Sequence, residues 1–177
     1  MVRKPERCHG TLLRIVPVFE QVPTAFIGKV SPVHLFRGAL DLAVTRFSGR
    51  LAPLHPAGIP NLPEDVAQEA CSHQVSSAGF WPGGGGVNEA MFYSYAYPAP
   101  NVFADQPVLA AQARYDETLG EFLLPYAAVR ASDEPAAMLM AFLQSTYAAA
   151  AKTGDWDRAA LERAPGRPRV PRPLDSD

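Results

Sequence analysis

The chain has 177 residues, a hydrophobic share of 47%, a charged share of 19% and a formal net charge of -2, the proportions of one soluble globular domain with a real core. So balanced a charge, with a pI near 6.1, gives no electrostatic footing for nucleic acid or an acidic membrane surface. No apolar run reaches the roughly 20 residues a membrane span needs, and the apolar stretch after the basic start is interrupted by Pro17, Glu20 and Pro23, which excludes a secretory leader.

Two distant cysteines, Cys8 and Cys71, form no disulfide framework, so a cytoplasmic, reducing location is expected. The 18 prolines against 13 glycines predict many loops and short strands. Residues 1–11 are charged, contain proline and show no period, and are expected to be disordered. From Leu12, apolar Ile15, Val16, Phe19, Val22 and Phe26 recur at steps of three and four, the pattern of a helix face. Pro17 and Pro23 bend or divide that helix, and Gly28 ends it.

Val33 to Phe47 alternates as a first strand with a bend at Gly38; Leu40, Leu42 and Val44 share one face, and Asp41, Ala43 and Thr45 the other. A proline-rich loop follows, with one helical turn from Glu64 to Glu69. Cys71 to Trp81 is the second strand and Ala90 to Tyr97 the third, joined by a loop with glycine at 83–86. Met91, Tyr93, Tyr95 and Tyr97 lie on one face of the third strand, Phe92, Ser94 and Ala96 on the other. Residues 121–129 make a fourth, with Pro125 marking an edge or a bulge.

The clearest element is the last long helix. Ser132 or Asp133 caps it, Pro135 suits its first turn, and Leu139, Phe142, Leu143, Thr146, Tyr147 and Ala150 form its stripe. Gly154 stops it, Asp155 caps a short helix with Trp156 and Leu161, and the Pro/Arg tail from 164 to 177 is expected to be disordered. The sum is an α+β fold: one domain over 12–163, an antiparallel sheet of about four strands flanked by an N-terminal and a C-terminal helix.

Chemistry concentrates on the second and third strands. Cys71 and His73, two apart on a strand, would face the same way and could share a metal or act as a nucleophile pair, with His34, Asp41 or Glu121 as a third group from a neighbouring strand. Nothing has the tight spacing of a zinc signature, so no metal set is assigned, and the glycine loop lacks the Lys-Ser/Thr of a phosphate-binding loop. His73, Gln74, Trp81, Tyr93 and Tyr95 are the residues expected to line a small-molecule site, if no helix covers the tyrosines, and Arg46 is a candidate for an anionic group. His73, His34 and Asp41 are the catalytic candidates.

The phrases FIGKVSPVH, LDLAVTRFSGR, SHQVSSAGFWPGGGG, FYSYAYP, LGEFLLPYAAVR and FLQSTY resemble the bacterial family called domain of unknown function 5996, over about Val18 to Leu161. The resemblance implies no activity. It implies a duplicated architecture of which this chain is the second half, with Tyr usual in place of Cys71 and Glu in place of Gln74, so that a cysteine mechanism is disfavoured and a carboxylate beside His73 is absent here. Three functions are carried forward: a small-molecule-binding domain with no assigned cofactor, a metal-dependent enzyme using His34, His73 and a carboxylate, and a non-catalytic half-domain that forms a homodimer or pairs with a separate first half.

Overall fold

The structure, a computed structural model, describes residues 4–36, 38–56, 63–84 and 89–164, except for the side chains of residues 4–8. Helix α1 spans Lys4–Phe19 and a 3-10 turn spans Val22–Ala25. Strands β1 (His34–Phe36) and β2 (Asp41–Leu51) follow, then helix α2 (Glu64–Ala70), β3 (His73–Trp81) and β4 (Met91–Tyr97). After a long loop come β5 (Arg114–Asp116), β6 (Glu121–Pro125), and helices α3 (Tyr126–Ala131), α4 (Pro135–Thr153) and α5 (Arg158–Leu161).

The α+β class and the antiparallel pairing match expectation, but the sheet has six strands, in the order β1-β2-β3-β4-β6-β5. Two differences account for the extra pair. The stretch expected as one bent strand is a hairpin: Ala39 N–H donates to Phe36 O at 3.2 Å, Leu40 takes a φ of 53° in the left-handed region, and β1 turns back onto β2. The loop after β4 also supplies three-residue β5, which caps the far edge by pairing with β6.

Pro125, expected at an edge or bulge, is the last residue of β6 and pairs with Met91 before the chain turns into α3. It ends the strand where a helix must begin, so residues 126–129 are helical rather than extended. Asp157, not Asp155, caps α5, its carboxylate accepting from Ala160 N–H at 3.1 Å. The helix expected from Leu12 begins at Lys4, inside the segment expected to be disordered, and carries Pro17 in its last turn, where the missing N–H withdraws a helical donor from the carbonyl of exposed Leu13. Residues 165–177 of the expected tail, and residues 85–88 of the glycine loop, lie outside the described residues.

Helices α1 and α4 lie on one face of the sheet. Leu42 and Val44 of β2, Ala78 and Phe80 of β3, Phe92 and Ala96 of β4, and Phe122 and Leu124 of β6 pack there against Ile15 and Phe19 of α1 and Leu139, Phe142 and Leu143 of α4. The stripe read on α4 is its buried face, Leu139, Phe142, Leu143, Thr146, Tyr147 and Ala150 all being sealed. At roughly 2 kcal/mol for each large apolar side chain buried, this face is the main source of stability.

Candidate functional site

Period-two alternation puts the third-strand tyrosines on the face away from the helices. One row across that face runs His34, Ala43, Gly79, Tyr93, Leu123, Arg114, and the next runs Thr45, Ser77, Tyr95. Glu121 stands beside Tyr95, one position on from the Ser94–Phe122 pair. Asp116 pairs with Glu121 on the outermost strand.

Gly79 decides the geometry. A Cβ there would sit 2.3 Å from the Cζ and hydroxyl oxygen of Tyr93 and 2.5 Å from the Leu42 carbonyl. Without that atom, the Tyr93 ring folds flat across β3 and reaches β2. Its hydroxyl lies 3.1 Å from each carboxylate oxygen of Asp41, and its ring is nearly parallel to that of Tyr95, with centroids 6.3 Å apart. Thr45 and Ser77 hydroxyls are 2.8 Å apart beside this pair.

Burial raises the Asp41 carboxyl above its ordinary value, and the Tyr93 hydrogen bond offsets part of the rise. Glu121 is pushed up to about 7, first by burial and then by the negative charges of Asp41 and Asp116. The Tyr93 phenol is raised far above its usual range by burial and by Asp41, so it stays a donor. Burial pushes Tyr95 up to about 12. Among the described residues the only ion pair is Arg158–Glu162, so the three carboxylates of this face have no paired cation. What results is a half-buried surface rich in hydroxyls, with exposed Arg114 at its outer edge and one carboxyl, Glu121, raised to about 7.

The expected site residues divide between the two faces. Tyr93, Tyr95, Trp81, His73 and the catalytic candidates His34 and Asp41 belong to the open face, whereas Arg46 and Gln74 belong to the helix-covered one. Gln74 accepts from Ser48 at 3.3 Å and lines a small cleft with Trp156. Arg46 reaches Val22 O and Tyr147. His73 sits six residues along β3 from Gly79, about 20 Å away, with its ring 3.2 Å from the Ser72 hydroxyl. It therefore does not converge with His34, which stands exposed on edge strand β1 in the Gly79 row. Cys71 is the cap residue of α2 rather than part of a strand, so it does not share the alternation of His73, and burial raises its thiol. Among the described residues no three His, Cys, Asp or Glu side chains gather as a metal set.

Glu121 was readable only as a candidate third ligand. Its partnership with Asp41 and Asp116 joins strands 80 and five residues away in sequence, and nothing local signals it. Gly79 had no sequence signal beyond being a glycine inside a strand, a known mark of close approach.

This sheet, with α1 and α4 on one face and tyrosines and carboxylates on the other, defines an α+β domain carrying a half-buried polar platform. The chain belongs to a family of unknown function (DUF5996), whose model matches residues 3–163. No curated protein and no solved structure matches it. Among the described residues, no helix is long and apolar enough to cross a membrane.

Proposed function

We propose that the chain binds a small molecule on the tyrosine–carboxylate face between β3 and β4, and that the ligand carries a positively charged group. The observation that carries this reading is the Tyr93–Asp41 hydrogen bond over Gly79, set beside Glu121. The charges of Asp41 and Asp116 both act on Glu121, and an ammonium group placed beside Glu121 relieves that repulsion. The parallel Tyr93 and Tyr95 rings supply an aromatic surface for the ligand's apolar part. Glu121, titrating near neutrality, is the group suited to take or give a proton there.

Titration with benzylamine, followed by tyrosine ring resonances, tests the reading. A saturable shift of Tyr93 and Tyr95 is expected, weakened by Asp41→Asn and absent with benzyl alcohol at the same concentrations. No saturable response to benzylamine at pH 8 sinks it.

A partner-binding role is the second reading, supported at the β1 edge. There Leu35 and Phe36 of β1 and Leu40 of the following turn are 40%, 56% and 41% exposed, and the outer side of β1 is unpaired among the described residues. Such an edge is a template for another strand. Light scattering showing a dimer that Phe36→Lys dissociates supports it, and a monomer at high concentration refutes it. The metal-dependent reading has least support, since His34 and His73 stand apart on the sheet.

A further inference from the structure

We propose that the chain has a second binding site on the helix side of the sheet: a cleft floored by Arg46 that takes the anionic group, a carboxylate or phosphate, of a small organic molecule. The cleft has a volume of about 420 Å³. Its walls are the end of the 3-10 turn at Phe26, the α4 residues Gln144 and Tyr147, and the segment from Arg158 to Arg163. Backbone hydrogen bonds from Ile27 N–H to Leu161 O at 2.9 Å and from Arg163 N–H to Ala25 O at 3.0 Å hold two of these walls together. The walls are thus built into the fold.

Arg46 is the reason to expect a ligand. It is 3% exposed, and a buried guanidinium needs a counter-charge or a full set of acceptors. It has neither. Its Nη2 donates to Val22 O and to Gln144 Oε1, the latter at 3.3 Å. The guanidinium carbon lies 4.0 Å from the Tyr147 ring centroid and 5.7 Å from that of Phe26. Among the described residues, Nε is buried with no acceptor and the only hydrogen bonds of the guanidinium are those of Nη2. No carboxylate comes within ion-pair distance of Arg46 among the described residues.

The rest of the lining points the same way. Arg158 adds a positive charge that balances the single negative charge of Glu162, which leaves the charge of Arg46 uncompensated among the described residues. Glu162 is already engaged: it accepts from Arg158 at 2.7 and 3.0 Å and from the Tyr147 hydroxyl at 2.8 Å. Its field favours the Arg46 cation without pairing it. The cleft therefore keeps an excess of positive charge over an aromatic wall. That combination fits a planar or ring-bearing organic anion.

The test uses the full chain and follows arginine Nε–Hε resonances during titration with inorganic phosphate and, separately, benzoate, each against sodium chloride at equal ionic strength. Saturable shifts of Arg46 are expected with at least one probe. Phosphate alone would assign a phosphate group, benzoate alone a carboxylate. Ala148→Leu narrows the cleft without touching a charge and is expected to weaken binding about tenfold, equivalent to about 1.4 kcal/mol. Shifts that follow ionic strength alike for all three salts overturn the proposal, as does saturable binding that Ala148→Leu leaves unchanged.

Discussion

The Tyr93 hydroxyl lies 3.1 Å from both carboxylate oxygens of Asp41, although the two residues sit on strands separated by β3. The ring crosses that strand at Gly79, the one place where no side chain blocks it. A long-range hydrogen bond therefore depends on a missing methyl group.

Gly79→Ala is accordingly expected to destabilise the fold by about 1–3 kcal/mol, the usual range for overpacking. The obstruction includes the Leu42 carbonyl, which is backbone and yields less readily than a side chain. Urea unfolding measures the loss. A midpoint unchanged from the parent chain would mean that Tyr93 does not lie over this glycine.

Tyr93→Phe leaves the ring in place and removes the donor. The Asp41 carboxyl, already raised by burial, then loses the interaction that lowers it, so its titration moves further up. The expected cost at neutral pH is about 1 kcal/mol. Carbon-13 NMR of the aspartate carboxyls reads the shift, and an Asp41 titration that stays put contradicts the hydrogen bond.

Glu121 gives the chain a pH dependence of definite sign. Its folded value of about 7 lies above the ordinary 4.5, so between those values the folded chain holds more protons than the unfolded one. Its contribution is fully present below about pH 4.5 and is lost as pH rises through 7. Glu121→Gln is expected to raise stability by about 1–2 kcal/mol at pH 8, discounted for solvent screening, and to change it little at pH 4. Equal effects at both values would show that burial does not raise this carboxyl.

Tyr147→Phe isolates the helix-side site. It removes the 2.8 Å hydrogen bond to Glu162 while keeping the ring beneath Arg46. A loss of about 1 kcal/mol is expected, measurable by thermal unfolding. The proposed anion site predicts that whichever of phosphate and benzoate binds the parent chain still binds after this change, because the ring and the guanidinium are both retained.

Some of the architecture was legible because it rests on local period. The stripe of α4 repeats at helical spacing, and β4 alternates so cleanly that its two faces could be named residue by residue. The opposite orientation of Asp41 and Arg46 also follows from alternation alone. Harder to see were β1 and β5, since three-residue strands carry almost no periodic signal. The helical start at Lys4 was hidden as well, because that segment shows no apolar period of its own.

On the stretch from His73 to Tyr97, the sequence by itself determined which side chains share a face, because β geometry sends neighbours to opposite sides. It separated His73 from Gln74 and tyrosines from phenylalanines before any contact was known. Only the tertiary structure decided which face α1 and α4 cover, and hence that the tyrosines lie half-buried on the other face while Arg46 floors a cleft on the helix side. It also decided that Asp41, Tyr93 and Glu121 meet at all. Those meetings join residues on different strands, and register, set by the packing of the whole sheet, brings them within reach.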